Sequence, residues 1–387
     1  MTNQEDRKVI VIGEQHYTPL GVIRTLGEAG IHPIAIIVNN NETETASSSK
    51  YISKLHLVSD YEAAFNILCE KYGSERNKPI VIPCDDIIVK LIDKSYNELR
   101  NLFIVNNANK QGQISYYQDK DNLYRLAEKN GLEIPKTWQL RTDGIDIPKD
   151  ITYPVITKPR SSYAHWKNDY HICDNEAQLL EALQSIREHT DSVLIQQYIR
   201  KVTERTLEGA SINNGKDVIC TIMTRYTYTL PDYYSMKMTV SEPNQPDIER
   251  AVGKTLYDIE YEGIFEAEFM EDEDGKLWFL EINFRNSTWS YASTKLKMPL
   301  PIIWMNGMLN GAFKPQCKKA VPEGYTALAE IPDFGQRVIR FKMISPLTWI
   351  KEAVRVNCLY FFNLKDMKPV FSNIRYFINR AIKHTAS

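Results

Sequence analysis

One stretch constrains this chain more than any other. Residues 263–285 read Gly-Ile-Phe-Glu-Ala-Glu-Phe-Met, then Glu-Asp-Glu-Asp-Gly-Lys, then Leu-Trp-Phe-Leu-Glu-Ile-Asn-Phe-Arg. Two apolar runs flank Asp274-Gly275, the strongest short signal for a β-hairpin. A two-residue turn there pairs Glu273 with Lys276. Counting back, Glu268 lands opposite Glu281, and Glu266 opposite Asn283. Strand side chains alternate between faces, so Glu268, Glu281, Asn283 and Arg285 share one side. Like charges directly opposite destabilise a sheet. Two carboxylates and an amide oxygen at this spacing suit a hard, oxygen-seeking cation such as magnesium. Arg285 beside them suits a phosphate or carboxylate. The alternative is a half-solvated hairpin whose acids meet water. Against it, Trp278, Leu280 and Ile282 make the second run too apolar for an edge strand.

The chain has 387 residues, enough for two or three domains, and its 43% apolar and 25% charged residues are those of an ordinary globular protein. A formal net charge of -2 gives no electrostatic footprint for nucleic acid. No run approaches the length of a membrane span. Six scattered cysteines, with no Cys-x-x-Cys pair, read as reduced thiols. The opening Met-Thr-Asn-Gln-Glu-Asp-Arg-Lys leads into no apolar stretch of signal-peptide length, so a cytoplasmic location is expected.

Lys8–Gly13 reads as a buried parallel strand, Leu20–Ala29 as a helix closed by Gly30, and Ile34–Val38 as the next strand. This is a βαβ opening, although only Gly13 survives of a dinucleotide fingerprint. Ile80–Pro83 is a later strand with Asp85 and Asp86 at its carboxyl end, either ligand-facing or capping the helix that follows. Asp119 is placed to cap a helix ending at Gly131, with Lys120 in its first turn, where a cation opposes the helix dipole unless it faces an anion. Then come a strand ending at Lys158-Pro159, a polar stretch through Asn168, a helix from about Asn175 to His189, and the strand Val193–Ile195. From Arg337 to Lys383 there are ten Lys/Arg against Glu352 and Asp366, interleaved with Trp349 and the run 359–362. That tail is either a packed helix pair with a solvated basic face, the commoner arrangement, or a patch for a membrane surface.

In this order the parts resemble the ATP-grasp superfamily. The most specific elements are Glu268-Phe269 followed by Leu280-Glu281-Ile282-Asn283-Phe284-Arg285. Within it, Lys158-Pro159 and the serine-rich, Tyr/Trp-containing loop after it are closest to the carboxylate–amine ligases that include D-aspartate ligase. The resemblance implies an α/β and α+β architecture: an ATP-grasp fold with an N-terminal Rossmann-like pre-ATP-grasp domain and a helical C-terminal tail. It divides the chain into a pre-domain (1–117), a small lobe with a lid loop (118–195), a large lobe with the metal site (196–313) and a helical extension (314–387).

The same resemblance implies roles for single residues. Lys120 and Lys158 contact the nucleotide phosphates, with Ser161 and Ser162 in the lid; Gln196, Gln197, Tyr198 and Ile199 meet the adenine edge; Glu204 meets the ribose. Glu268, Glu281 and Asn283 hold magnesium or manganese, while Arg285, with Arg225, steadies the transferred phosphoryl group. The implied reaction joins a small-molecule carboxylate to an amine through an acyl phosphate, consuming ATP, and a homodimer is expected. One departure stands out. The lid is usually glycine-rich, whereas Arg160-Ser-Ser-Tyr-Ala-His-Trp-Lys-Asn168 has no glycine. That leaves open a nucleotide-binding regulatory protein without catalysis, and a separate rival is an ATP-grasp enzyme that modifies a peptide or protein terminus, which a broad basic acceptor groove would favour.

Overall fold

The structure is a computed structural model that describes residues 7–39, 43–142, 147–159, 170–188, 190–231 and 235–385. Ser161, Ser162 and the expected lid lie outside the described residues. The chain forms two compact units, one of 1–132, 203–269 and 280–387, the other of 133–202 and 270–279.

The first unit opens with strands β1 (Val9–Glu14), β2 (Ile34–Val38), β3 (Lys54–Val58) and β4 (Ile80–Pro83), in the order β3-β2-β1-β4. The pairs are parallel. β1, β2 and β4 are apolar on both faces because helices cover both sides, as a parallel sheet requires. The first helix spans Tyr17–Glu28. It starts earlier than apolar periodicity suggests because the His16 ring accepts from the Thr18 N–H and Pro19 fits the first turn. Asp85 caps helix Asp86–Lys94 through the Ile87 N–H at 2.7 Å, so the capping role holds for Asp85. Asp119 likewise caps helix Lys120–Lys129.

The second unit is built on β5 (Thr137–Arg141), β6 (Val155–Pro159), β7 (Ile172–Cys173) and β8 (Ser192–Gln197), an antiparallel sheet ordered β5-β8-β6-β7. Helix Glu176–Ile186 packs Leu179, Leu183 and Ile186 onto Val155, Val193 and Ile195. β8 runs longer than expected and takes in Gln196 and Gln197.

A seven-stranded sheet completes the first unit. Its strands are β9 (Lys201–Ile212), β10 (Asp217–Tyr226), β11 (Lys237–Ser241), β12 (Gly263–Asp272), β13 (Leu277–Asn283), β14 (Thr326–Leu328) and β15 (Cys358–Leu359), ordered β13-β12-β9-β10-β11-β14-β15. The tips of β12 and β13 belong to the second unit. Two expectations are corrected here. β13 is an edge strand despite its apolar run, and the Phe279 N–H on it donates to the Glu133 carbonyl, so the edge is partly covered. The C-terminal extension is not purely helical: β14 and β15 extend this sheet.

What fastens that extension is a buried ion pair. Arg24 Nε lies 3.0 Å from Asp366 Oδ2, and both side chains are fully buried. The guanidinium also donates to the carbonyls of Tyr360, Phe361 and Asp366, while Ser49 Oγ and the Lys50 N–H donate to the Asp366 carboxylate. Nearby, the Glu330 carboxylate accepts the N–H groups of Tyr360, Phe361 and Phe362.

Candidate active site

Three adjacent strands of the first unit, β9, β12 and β13, bring acids together. The hairpin between β12 and β13 is not the two-residue turn expected. The Asp272 N–H donates to the Lys276 carbonyl at 3.1 Å and the Gly275 N–H to the Asp272 carbonyl at 3.0 Å, with Gly275 at φ 78°. This is a three-residue loop with glycine in the left-handed position, so Asp272, not Glu273, opposes Lys276. The acids still converge. Asn283 Nδ2 donates to Glu268 Oε1 at 2.7 Å and to Glu266 Oε2 at 3.2 Å. Arg285 in turn donates to Asn283 Oδ1 at 3.2 Å, and its Nε lies 3.0 Å from Asp86 Oδ2. Asp86 is therefore more than a first-turn residue: it holds the guanidinium.

At the base of β12 a buried amide fixes the backbone. Asn106 donates to the Phe284 carbonyl at 3.0 Å and to Tyr261 Oη at 3.1 Å. A Cβ on Gly263 would meet Tyr261 Oη at 2.3 Å and Asn106 Cγ at 2.9 Å, so only glycine fits that approach.

The electrostatics of the cluster are unfavourable as it stands. Burial, then the charges of Glu266, Glu281 and Glu204, push the Glu268 carboxyl up to about 9, with Arg285 opposing. Burial and the charge of Glu208 push Glu266 up to about 8. Burial raises Glu208 to about 8 as well, and Ser287 stands close but outside hydrogen-bond geometry, so neither Glu208 carboxyl oxygen completes a hydrogen bond. Fully buried orphaned carboxyl oxygens are costly and ask for a partner.

That is the test of whether a divalent cation fits, and the donor set passes. Among the described residues no three His, Cys, Asp or Glu side chains form a ready cage. Magnesium is usually held by one or two carboxylates together with waters and substrate phosphates, so an incomplete protein cage is the arrangement it takes. Asn283 presents its Nδ2 to the acids, and ligation through Oδ1 requires the amide to turn over.

The remaining expected residues are placed as follows. Lys120 Nζ lies 3.3 Å from Glu281 Oε2, so it joins the acidic cluster within the first unit. Glu204, on β9, is near enough for its charge to raise Glu268. Arg225 is on β10, opposite Arg205 and Thr239. In the second unit, Lys158 donates to Gln196 Oε1 at 2.5 Å, and Gln196 Nε2 donates to Thr137. The Gln197 N–H donates to the Lys136 carbonyl and the Tyr198 N–H to the Pro154 carbonyl. Those two N–H groups are engaged, while Ile199 follows the strand and is buried.

Sequence reasoning passed over Glu208. Its signal was the one used on the hairpin: an acid inside the run Leu207–Ile212, too apolar for a solvated strand.

No family model matches the chain, and no curated protein matches it. Solved structures do. N5-carboxyaminoimidazole synthetase from Staphylococcus aureus matches at TM-score 0.63 and 15% identity, over 89% of this chain and 88% of that one. The same synthetase complexed with ADP matches at TM-score 0.54 and 17% identity, over 72% and 70%. L-amino acid ligase from Bacillus licheniformis matches at TM-score 0.55 and 14% identity, over 80% and 78%. The fold of this chain is accordingly the ATP-grasp fold, an α/β and α+β architecture with a Rossmann-like domain at its N-terminus.

Proposed function

We propose that this chain is an ATP-dependent ligase that joins a carboxylate to an amine. The observation that carries the reading is the crowd of buried carboxyls on β9 and β12, Glu208, Glu266 and Glu268, with the partly exposed Glu281 of β13 beside them, a crowd relieved by protons or by a cation. The ATP-grasp fold supports it, since matching structures include an amino acid ligase and a synthetase complexed with ADP.

Glu268, Glu281 and Asn283 would hold magnesium or manganese, which supplies charge neutralisation to the phosphates of ATP. Lys120 and Lys158 would contact the nucleotide phosphates, Gln196, Gln197, Tyr198 and Ile199 the adenine edge, and Glu204 the ribose. Arg285 is already oriented by Asp86 and Asn283, so it meets the transferring phosphoryl group without reorganising, with Arg225 as a second cation.

In the first displacement a substrate carboxylate oxygen bonds to the γ-phosphorus, the bond to the ADP oxygen breaks, and an acyl phosphate forms. In the second an amine nitrogen bonds to the acyl carbon, inorganic phosphate leaves, and the amine proton passes to solvent. No enzyme nucleophile is required. A panel of D- and L-amino acids, hydroxy acids and short peptides, read by magnesium-dependent ADP release, tests the reading and identifies the pair. Absence of ATP binding by calorimetry, with magnesium present, would refute it. ATP binding without turnover on any pair would favour the regulatory reading that the glycine-free segment 160–168 supports.

A further inference from the structure

Among the described residues, half of the large apolar side chains that stand exposed fall in one short stretch. Of eighteen among the described residues, nine lie between Ile339 and Ile374. The helix Pro346–Ala353 turns Leu347 and Ile350 outward, 63% and 51% exposed, and Val354 at its end is 76% exposed. Lys351 and Arg355 are exposed too, one residue beyond Ile350 and Val354 on the same helical stripe. The terminal helix Lys368–Thr385 repeats the pattern: Phe371 is 62% and Ile374 47% exposed, beside exposed Lys368 and Arg375. Between the helices Leu364 is 82% exposed, next to exposed Lys365.

These faces are not spare core. The inward side of each helix is already used: Ala353 is buried, Trp349 Nε1 donates to Asp333, and the buried Asn373 bonds Thr45 and the Pro369 carbonyl. The acids of the stretch are consumed inside the fold. Asp366 is buried on Arg24, and Glu352 is held by Arg337 and Lys237 at 3.0 and 3.2 Å. Between residues 339 and 376 the exposed surface therefore carries cations and apolar groups beside the neutral Ser345, Thr348 and Asn357, and its one partly open carboxylate, Glu352, is already paired with Arg337 and Lys237.

We propose that the stretch 339–375 docks this protein on an anionic lipid surface. Apolar side chains enter the headgroup boundary while neighbouring lysines and arginines keep their heads among the lipid phosphates. No helix among the described residues is long and apolar enough to cross a membrane, so the contact is interfacial. The chemistry favours lipid over a protein partner: protein interfaces are depleted in lysine, and four of the exposed cations here are Lys342, Lys351, Lys365 and Lys368.

The test is co-sedimentation of the full chain with vesicles of phosphatidylserine and phosphatidylcholine, against vesicles of phosphatidylcholine alone. We expect partition onto the anionic vesicles only, weakening steeply as sodium chloride is raised. Lys351→Glu with Arg355→Glu should lower partition about tenfold. Leu347→Ser with Val354→Ser should lower it as well, with thermal unfolding unchanged because both sites are exposed. No partition onto anionic vesicles, or partition that neither double variant alters, would overturn the proposal. So would a dimer in sedimentation velocity that the same substitutions dissolve, since the face would then be a contact between copies.

Discussion

Two buried charge clusters sit in the same unit and differ in how they are satisfied. Around Arg24 and Asp366 the donors and acceptors close on one another: one ion pair, three carbonyls for the guanidinium, and two further donors for the carboxylate. Around Glu208, Glu266 and Glu268 three carboxyls crowd one another, with Arg285 and an amide as the cationic and polar relief. The first arrangement is complete and fastens the C-terminal stretch to the first helix. The second is incomplete and costs stability, which a fold tolerates where binding a ligand repairs it. Burial alone does not mark a functional charge; burial without satisfaction does.

The sharpest way to break this comparison is to damage the complete cluster. Asp366→Ala strands a buried guanidinium and should cost about 3–5 kcal/mol of stability. Urea unfolding that moves by less than about 1 kcal/mol would mean that the pair is not structural. Damage to the incomplete cluster should do the reverse. Glu281→Gln should leave unfolding within about 0.5 kcal/mol of the parent while magnesium-dependent ADP formation falls at least a hundredfold, ~3 kcal/mol in the barrier. Undiminished turnover in a coupled assay would remove Glu281 from the site.

Lys158 is an intermediate case, half-buried and bonded to Gln196. Lys158→Ala should weaken ATP binding by roughly 1–3 kcal/mol, the scale of one charge-assisted contact. An unchanged calorimetric affinity would exclude it. The last test concerns protons. An unfolded glutamate titrates near 4.5, whereas Glu266 and Glu268 hold their protons up to about 8 and about 9 in the fold. Between those limits the folded chain binds more protons than the unfolded one, so stability should fall as pH rises from about 4.5 to about 9 and level off above. The slope is about 1.4 kcal/mol per pH unit for each proton retained. Saturating magnesium should flatten it, because a bound cation replaces the protons. A slope indifferent to magnesium would mean that the cluster takes no cation.

Much of this was legible from residue order. Alternation and the Asp274-Gly275 pair placed Glu268, Glu281 and Asn283 on one hairpin because strand geometry is local. Apolar runs such as that within Lys8–Gly13 announced the parallel sheet, and Asp85 and Asp119 announced helix starts, because a cap acts within three residues. The turn was misjudged by one residue: the left-handed position of Gly275 closes a three-residue loop as readily as a two-residue one.

The rest only the tertiary structure decided. Glu208 joins the acids of β12 because β9 and β12 are neighbours, a pairing between segments more than fifty residues apart that no local pattern encodes. Asp86 becomes the partner of Arg285, and Asp366 of Arg24, across 199 and 342 residues of sequence. The C-terminal extension proves to supply two strands, one of them inside its basic, aromatic tail, and that tail turns apolar side chains outward, since which face of a helix is buried depends on what it packs against. Sequence sets which groups are present and how each short segment bends; folding sets which distant charges must share one low-dielectric space, and there the chemistry arises.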